Sequence, residues 1–209
     1  ASTDESVATV DQNGLVAAVG TGTATVTAAN ADGSISDSMV IQVTTPSCII
    51  VGGVGLQPGQ YLEQGSGTAT TVKPADNYAY VYLNDRGEMC LVLHNYTYIG
   101  TGSFFEKYDQ TGIQTTDEDG YPICIYLEGE NCIDMSPAAN ASGYNWANAL
   151  TVVGETYIFG VDGGSLNLVN AGYALVGKNA VVEIYDAVIN TENVTYDFYD
   201  EGMDLYFLD

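Results

Sequence analysis

The densest group of chemically useful side chains is the acidic turn Asp117-Glu118-Asp119-Gly120. Clustered carboxylates supply the hard oxygen ligands that Ca²⁺ prefers in proteins. The turn lacks the Asp-x-Asp-x-Asp-Gly spacing of an EF-hand loop, and an acidic turn is also common as a plain solvated loop. Asp117, Glu118 and Asp119 are therefore the candidate metal ligands, and calcium is the one candidate cofactor.

Aromatic side chains beside amides form a second candidate site in this chain of 16 Tyr, 5 Phe and 1 Trp. Sugars present C–H faces that pack on Tyr and Trp rings, while their hydroxyl groups bond to amides and carboxylates. Tyr144, Asn145 and Trp146 follow one another in a polar loop, and Tyr96 and Tyr98 follow Asn95. We take these five as candidate carbohydrate-binding residues. The alternative is that Tyr is simply favoured in half-buried strands, where its hydroxyl reaches water.

The charge balance excludes several classes of function. The chain has 27 Asp and Glu against 4 Lys and Arg, which gives a formal net charge of −23. Binding to nucleic acid or to anionic lipid needs a basic face, so neither partner is expected. His94, the single His, has no nucleophile motif beside it. We expect no enzyme, although a glycosidase needs only two carboxylates at a defined separation and stays open as an alternative.

The four cysteines, Cys48, Cys90, Cys124 and Cys132, lack the spacing of zinc ligands. Cys90 and Cys124 lie in apolar segments that have the pattern of strands. Free thiols that pack like small hydrophobic side chains are therefore expected, with a Cys124–Cys132 bridge as the alternative. No stretch approaches the roughly 20 apolar residues of a membrane span, so membrane insertion is not expected.

These side chains must be positioned by strands. Alternating apolar and polar residues recur, as at 24–28, 78–83 and 166–170, and Asn-Gly or Asp-Gly turn signals separate them. Lys, Arg, Gln and Glu, which cover the solvent side of helices, are scarce. The sequence predicts an all-β protein. A change in composition near Thr45-Pro46 predicts two domains, at 1–45 and 46–209.

The first segment has a specific pattern. Asp4 to Asp11 is followed by the turn Asn13-Gly14, by the stretch 15–28 with its Gly-Thr-Gly-Thr, and by an alternating strand to Val43. Asn-Gly supplies the positive φ of a tight hairpin. The inward side chains are predicted to be Val7, Val10, Leu15, Val19, Ala24 and Val26.

Residues 4–43 closely resemble the C-terminal half of the bacterial Ig-like domain of group 2 (BIG2). The resemblance implies a partial β-sandwich and a cell-surface context. The opening strands of the family have no counterpart before Ser2, so we expect the natural protein to continue upstream.

The second segment contains four echoes of one pattern, in which an alternating apolar strand precedes a polar turn. The echoes begin near Glu88, Pro122, Gly164 and Ala180. Such repeats predict coils of a β-solenoid, and the pieces resemble right-handed β-helix domains of bacterial surface proteins, some of them carbohydrate-binding. A β-sandwich or jelly roll is the alternative, because the spacing of the echoes is irregular.

Together these observations predict a non-catalytic fragment of a bacterial protein that is extracellular or attached to the cell wall. We expect it to act in adhesion, with a glycan or a host or cell-surface protein as partner. A structural stalk is the first alternative, and a carbohydrate-active enzyme that uses paired carboxylates is the second.

Overall fold

The computed structural model describes residues 1–19, 22–30, 32, 34–43, 48–104, 110–115, 121–139 and 146–208. The chain divides into two compact units, Ala1–Pro46 and Ser47–Asp209. In the described residues, regular structure consists of strands and one short 3₁₀ turn at Ser136–Ala138. The predicted all-β fold is therefore confirmed.

The first unit contains two antiparallel pairs of strands. They are β1 (Ala8–Val10) with β2 (Val16–Ala18), and β3 (Gly22–Ala29) with β4 (Ser36–Val43).

The turn between β1 and β2 forms as the Asn-Gly pair predicts, because Gly14 has a φ of 83°. Val7 and Ala24 are buried as predicted. Leu15 and Val19, however, are exposed, and their predicted inward position is wrong. The ladder ends at the pair Val10 and Val16, so Leu15 stays in the turn, where its backbone N–H donates to the Asp11 carboxylate at 2.8 Å.

Within its described residues, the second unit contains thirteen strands in one sheet. They are β5 (Ile49–Val51), β6 (Val54–Leu56), β7 (Gln60–Glu63), β8 (Tyr78–Leu83), β9 (Met89–His94), β10 (Thr97–Ile99), β11 (Ser103–Phe104), β12 (Gln110–Gln114), β13 (Ile123–Asp134), β14 (Asn148–Val169), β15 (Tyr173–Tyr185), β16 (Val188–Glu192) and β17 (Tyr196–Leu208).

The later strands pair in parallel and in register, and the long ones bend so that each contributes to more than one row of strands. Row A is β9 with 123–128, 155–161, 181–185 and 204–208; row B is β10 with 130–134, 165–169 and β16; row C is β12 with 148–153, 173–178 and 196–201.

This parallel stacking gives the second unit a solenoid-like arrangement. In row A the successive partners are Met89, Ile123, Thr156, Val182 and Leu205, at intervals of 34, 33, 26 and 23 residues. A sandwich or jelly roll is built mainly from antiparallel pairs, so the observed register favours the solenoid. The inward side chains of the coils form one hydrophobic core, which includes Leu91, Ile125 and Ile158.

Residues with a left-handed backbone mark the corners where one row gives way to the next. Between rows A and B they are Asn95, Gly129, Asp162 and Asp186; after row B they are Asn170 and Asn193; between rows C and A they are Gly154, Asn179 and Gly202. Asn, Asp and Gly tolerate this conformation best. At Gly129 the fit is also steric, because a Cβ there would lie 2.0 Å from Asn95 Oδ1.

Candidate functional site

The predicted sugar-binding residues Tyr96 and Tyr98 lie in different environments. Tyr96 is only 2% exposed and packs in the core, where burial raises its pKa. Asn95 turns the chain at the corner, and the Tyr96 side chain that follows packs inward with almost none of its surface exposed. Tyr98 is half-buried, and both tyrosines are among the residues that line an open groove of about 390 Å³. Its hydroxyl oxygen accepts the Gly102 N–H at 2.7 Å.

Several other predicted residues lie outside the described ranges. These are Tyr144 and Asn145 of the aromatic loop and the candidate calcium ligands Asp117, Glu118 and Asp119. Across the described residues, no three His, Cys, Asp or Glu side chains converge in a way that could hold a metal ion. The calcium site therefore stays a prediction.

Trp146 is described, and it belongs to a stack of aromatic rings that crosses row C. Its ring centroid lies 6.3 Å from that of Tyr173, with 29° between the planes. Tyr173 in turn stacks on Tyr196 at 5.2 Å and 13°, and Tyr199 approaches Tyr173 at 4.9 Å. We call Trp146, Tyr173, Tyr196 and Tyr199 the row C stack.

Exposure in the row C stack is greatest at its ends. Trp146 and Tyr196 are 54% and 51% exposed and Tyr199 is 41% exposed, whereas Tyr173, whose ring contacts all three, is half-buried. The end rings thus offer apolar surface to a ligand, and they are held in place by the ring between them. This is the chemistry that a sugar ring needs, because its C–H face packs on an aromatic ring fixed by its neighbours.

The sequence reading found Trp146 but missed Tyr173, Tyr196 and Tyr199. A signal was present, because Tyr173 and Tyr196 are 23 residues apart, the same interval that separates Val182 from Leu205 in row A. A residue that recurs at the coil interval lies directly over its predecessor. The spacing of 23 residues applies only to the last coil, however, and the earlier coils are longer, so the earlier echoes do not predict it.

A second set of stacked rings lies on the outer side of row A. Tyr126, Phe159 and Tyr185 occupy one register position, with centroids 5.1 Å apart at each step. They line an open groove of about 450 Å³ together with Tyr157 and Glu183. All three stacked rings are half-buried, so this surface offers a ligand less ring area than Trp146 and Tyr196 do.

Carboxylates beside this groove are bound by tyrosine hydroxyls. Tyr157 donates to Glu155, and Tyr185 donates to Glu183. The hydrogen bond to Glu155 raises the pKa of Tyr157 to about 12, because loss of the phenol proton would place two negative charges together. These two glutamates therefore stabilise the aromatic surface.

His94 connects two parts of the second unit. Its Nδ1 lies 2.8 Å from Glu128 Oε2 and its Nε2 lies 3.1 Å from Asp76 Oδ1. Its ring stacks on Tyr78, with 4.9 Å between the centroids. The two ring nitrogens point to separate carboxylates, so the three groups do not converge on one point. His94 therefore links the loop at Asp76 to strand β13 through its two ring nitrogens.

Comparison with known proteins gives one match. The family model of the bacterial Ig-like domain (group 2) matches residues 1–40, and this domain is typical of bacterial surface proteins. We predicted the resemblance at 4–43 and as the second half of the domain. No curated protein and no solved structure matches the chain. A helix long and apolar enough to cross a bilayer is absent from the part of the chain that the structure describes.

Proposed function

We propose that the chain is a non-catalytic module of an extracellular or wall-attached bacterial protein, and that it contributes to adhesion by binding carbohydrate at the row C stack. The observation that supports the proposal is the pair of exposed end rings, Trp146 and Tyr196, which the half-buried Tyr173 holds in line. The match of residues 1–40 to a surface-protein domain supports the location.

The charge of the protein restricts the class of sugar. At a net charge of −23, the surface repels uronic acids, sialic acids and sulfated sugars. The ligand we propose is therefore a neutral glycan. Contact with ring faces and neutral hydroxyl groups requires no cofactor, so binding should persist after treatment with EDTA. Loss of binding in EDTA would instead favour a role for the predicted calcium ligands.

The experiment is a glycan array that contains neutral and acidic oligosaccharides, followed by titration calorimetry with the best neutral hit. Trp146→Ala and Tyr196→Ala should each weaken binding at least about tenfold, which corresponds to 1.4 kcal/mol. Tyr206→Ala is the matched control, because Tyr206 lies on the same strand, β17, and is 48% exposed but belongs to row A. Its affinity should match that of the unchanged protein.

Three results would overturn the proposal in different ways. No binding to any sugar on the array would favour a structural spacer. Binding that survives both substitutions in the row C stack would place the site elsewhere. Release of shorter sugars from a polysaccharide by the purified protein would show an enzyme.

A further inference from the structure

Cys90 and Cys124 face each other on neighbouring strands of row A. Strands β9 and β13 are parallel, and Cys124 is the direct partner of Cys90 in their register. Neighbouring strands lie about 4.8 Å apart, and the Cα atoms of a disulfide are usually about 4.4–6.8 Å apart. The register alone therefore brings the two cysteines within the range of a disulfide that would join the first two coils.

The surroundings of the two sulfur atoms make them unequal. The Cys124 thiol donates a hydrogen bond to Cys90, and the Tyr82 hydroxyl donates a second one. These donors lower the pKa of Cys90, although burial opposes them. The pKa of Cys124 is raised because its proton is held by Cys90. Cys90 is completely buried and its thiol also donates to the backbone carbonyl oxygen of Glu88 at 3.7 Å, whereas Cys124 is 4% exposed.

Both cysteines are buried, with Cys90 at 0% and Cys124 at 4% exposure, and a small reagent can reach the pair only from the Cys124 side. Cys124 lines the same open groove of about 450 Å³ as Tyr126 and Tyr157. Glu88 and Glu183 also line this groove, together with Arg86, whose guanidinium lies 4.0 Å from the Glu88 carboxylate, and the whole chain is strongly acidic. A small cationic disulfide is therefore attracted to the groove, whereas an anionic one is repelled.

We propose that Cys90 and Cys124 are a redox-active dithiol, which a small-molecule disulfide converts to an intramolecular disulfide between the first two coils. The thiolate of one cysteine attacks one sulfur of the reagent, the S–S bond of the reagent breaks, and the leaving thiolate takes up a proton. The thiol of the other cysteine then loses its proton and attacks the protein sulfur of the mixed disulfide, which expels the second thiolate, and this thiolate takes up that proton. One reagent disulfide is reduced to two thiols, and two protein thiols are oxidised.

The test uses the Cys48→Ser/Cys132→Ser variant of the full chain, in which only this pair can react, with cystamine as the cationic disulfide. Intact mass should fall by two hydrogen atoms with no retained adduct. The chain has only four Lys and Arg residues, so trypsin places Cys90 in peptide 87–107 and Cys124 in peptide 108–178. These two peptides should be joined after oxidation and separate after reduction.

Further variants test whether both thiols are needed and supply the control. Cys124→Ser and Cys90→Ser in the same background each leave one thiol of the pair, so each should form at most a mixed disulfide with the reagent and no internal bridge. The Cys90→Ser/Cys124→Ser variant of the natural chain keeps Cys48 and Cys132 and should form no internal bridge. Two stable adducts on the pair, or thiols that stay unmodified until the protein is unfolded in urea, would overturn the proposal.

Discussion

Replacing Asn131 by alanine should destabilise the second unit severely. Asn131 is fully buried at the corner between rows A and B. Its Oδ1 accepts the backbone N–H of Tyr96 at 2.8 Å, and its Nδ2 donates to the carbonyl oxygen of Ser165 at 3.1 Å and to that of Glu128 at 3.3 Å. One side chain thus bonds to three successive coils.

The cost follows from these contacts. Truncation leaves the buried Tyr96 N–H without its acceptor, which costs about 1–3 kcal/mol, and it removes two further hydrogen bonds of about 1 kcal/mol each. The free energy of unfolding should therefore fall by about 3–5 kcal/mol, a large part of the stability of a typical domain.

Urea unfolding followed by intrinsic fluorescence isolates this effect. Every Tyr, Phe and Trp lies in the second unit, the first being Tyr61, so the signal does not report on the first unit. Asn190→Ala is the control, because Asn190 donates to Asn167 Oδ1 at 2.9 Å in an exposed position and should cost no more than about 1 kcal/mol. If Asn131→Ala lost no more stability than this control, the idea that a buried amide fastens the coils would be refuted.

Two other changes should separate packing from ionisation. Gly164→Ala should lower the free energy of unfolding in urea by about 3 kcal/mol or more, because its Cβ would lie 1.8 Å from the carbonyl oxygen of Leu127. Gly163→Ala is the control, because no atom lies within 4 Å of its Cβ, and it should cost only the roughly 1–2 kcal/mol of its positive φ. Equal losses of stability in the two variants would contradict the steric argument. At Asp134, burial alone would raise the carboxyl pKa, but a hydrogen bond from Asn170 Nδ2 at 2.9 Å helps to hold the pKa below its usual value. The charged Asp134 carboxylate therefore stabilises the folded state above about pH 4, and this contribution is lost as the pH falls further. The urea midpoint of Asp134→Asn should therefore vary less between about pH 5 and pH 3 than that of the unchanged protein, and an identical pH profile would show that Asp134 contributes nothing.

Part of the solenoid-like arrangement could be predicted from the sequence because its first two echoes fall at equivalent positions. The echoes at Glu88 and Pro122 begin one residue before Met89 and Ile123, which are partners in the structure. The third echo, near Gly164, has the same pattern but belongs to another row, because Leu166 pairs with Asn131 in row B and not with a strand of row A. Strands from different rows share one alternating pattern, so periodicity alone could not assign them to a row.

The candidate site was harder to predict for a related reason. Tyr96 and Trp146 have similar sequence surroundings, since each follows an Asn at the edge of a strand pattern. One is buried and the other is exposed. Asn95 has the left-handed backbone of a corner between rows A and B, and the Tyr96 side chain that follows it packs in the core. The tolerance of Asn for this conformation is only a tendency, so a single sequence does not show where it is used.

The geometry of a solenoid also limits where aromatic rings can meet a ligand. Side chains at one register position stack about 5 Å apart, close to the strand spacing, and each ring within a stack covers part of its neighbours. In the row A stack, Phe159 lies between Tyr126 and Tyr185, and all three are half-buried. In the row C stack Trp146, Tyr196 and Tyr199 are exposed, and Tyr173, which contacts all three, is half-buried. The ring with the most neighbours is therefore the most covered member of the row C stack, whereas the row A stack is covered at its ends as well. This is why the proposed sugar contact is placed at the end rings of row C, although row A has more aromatic residues.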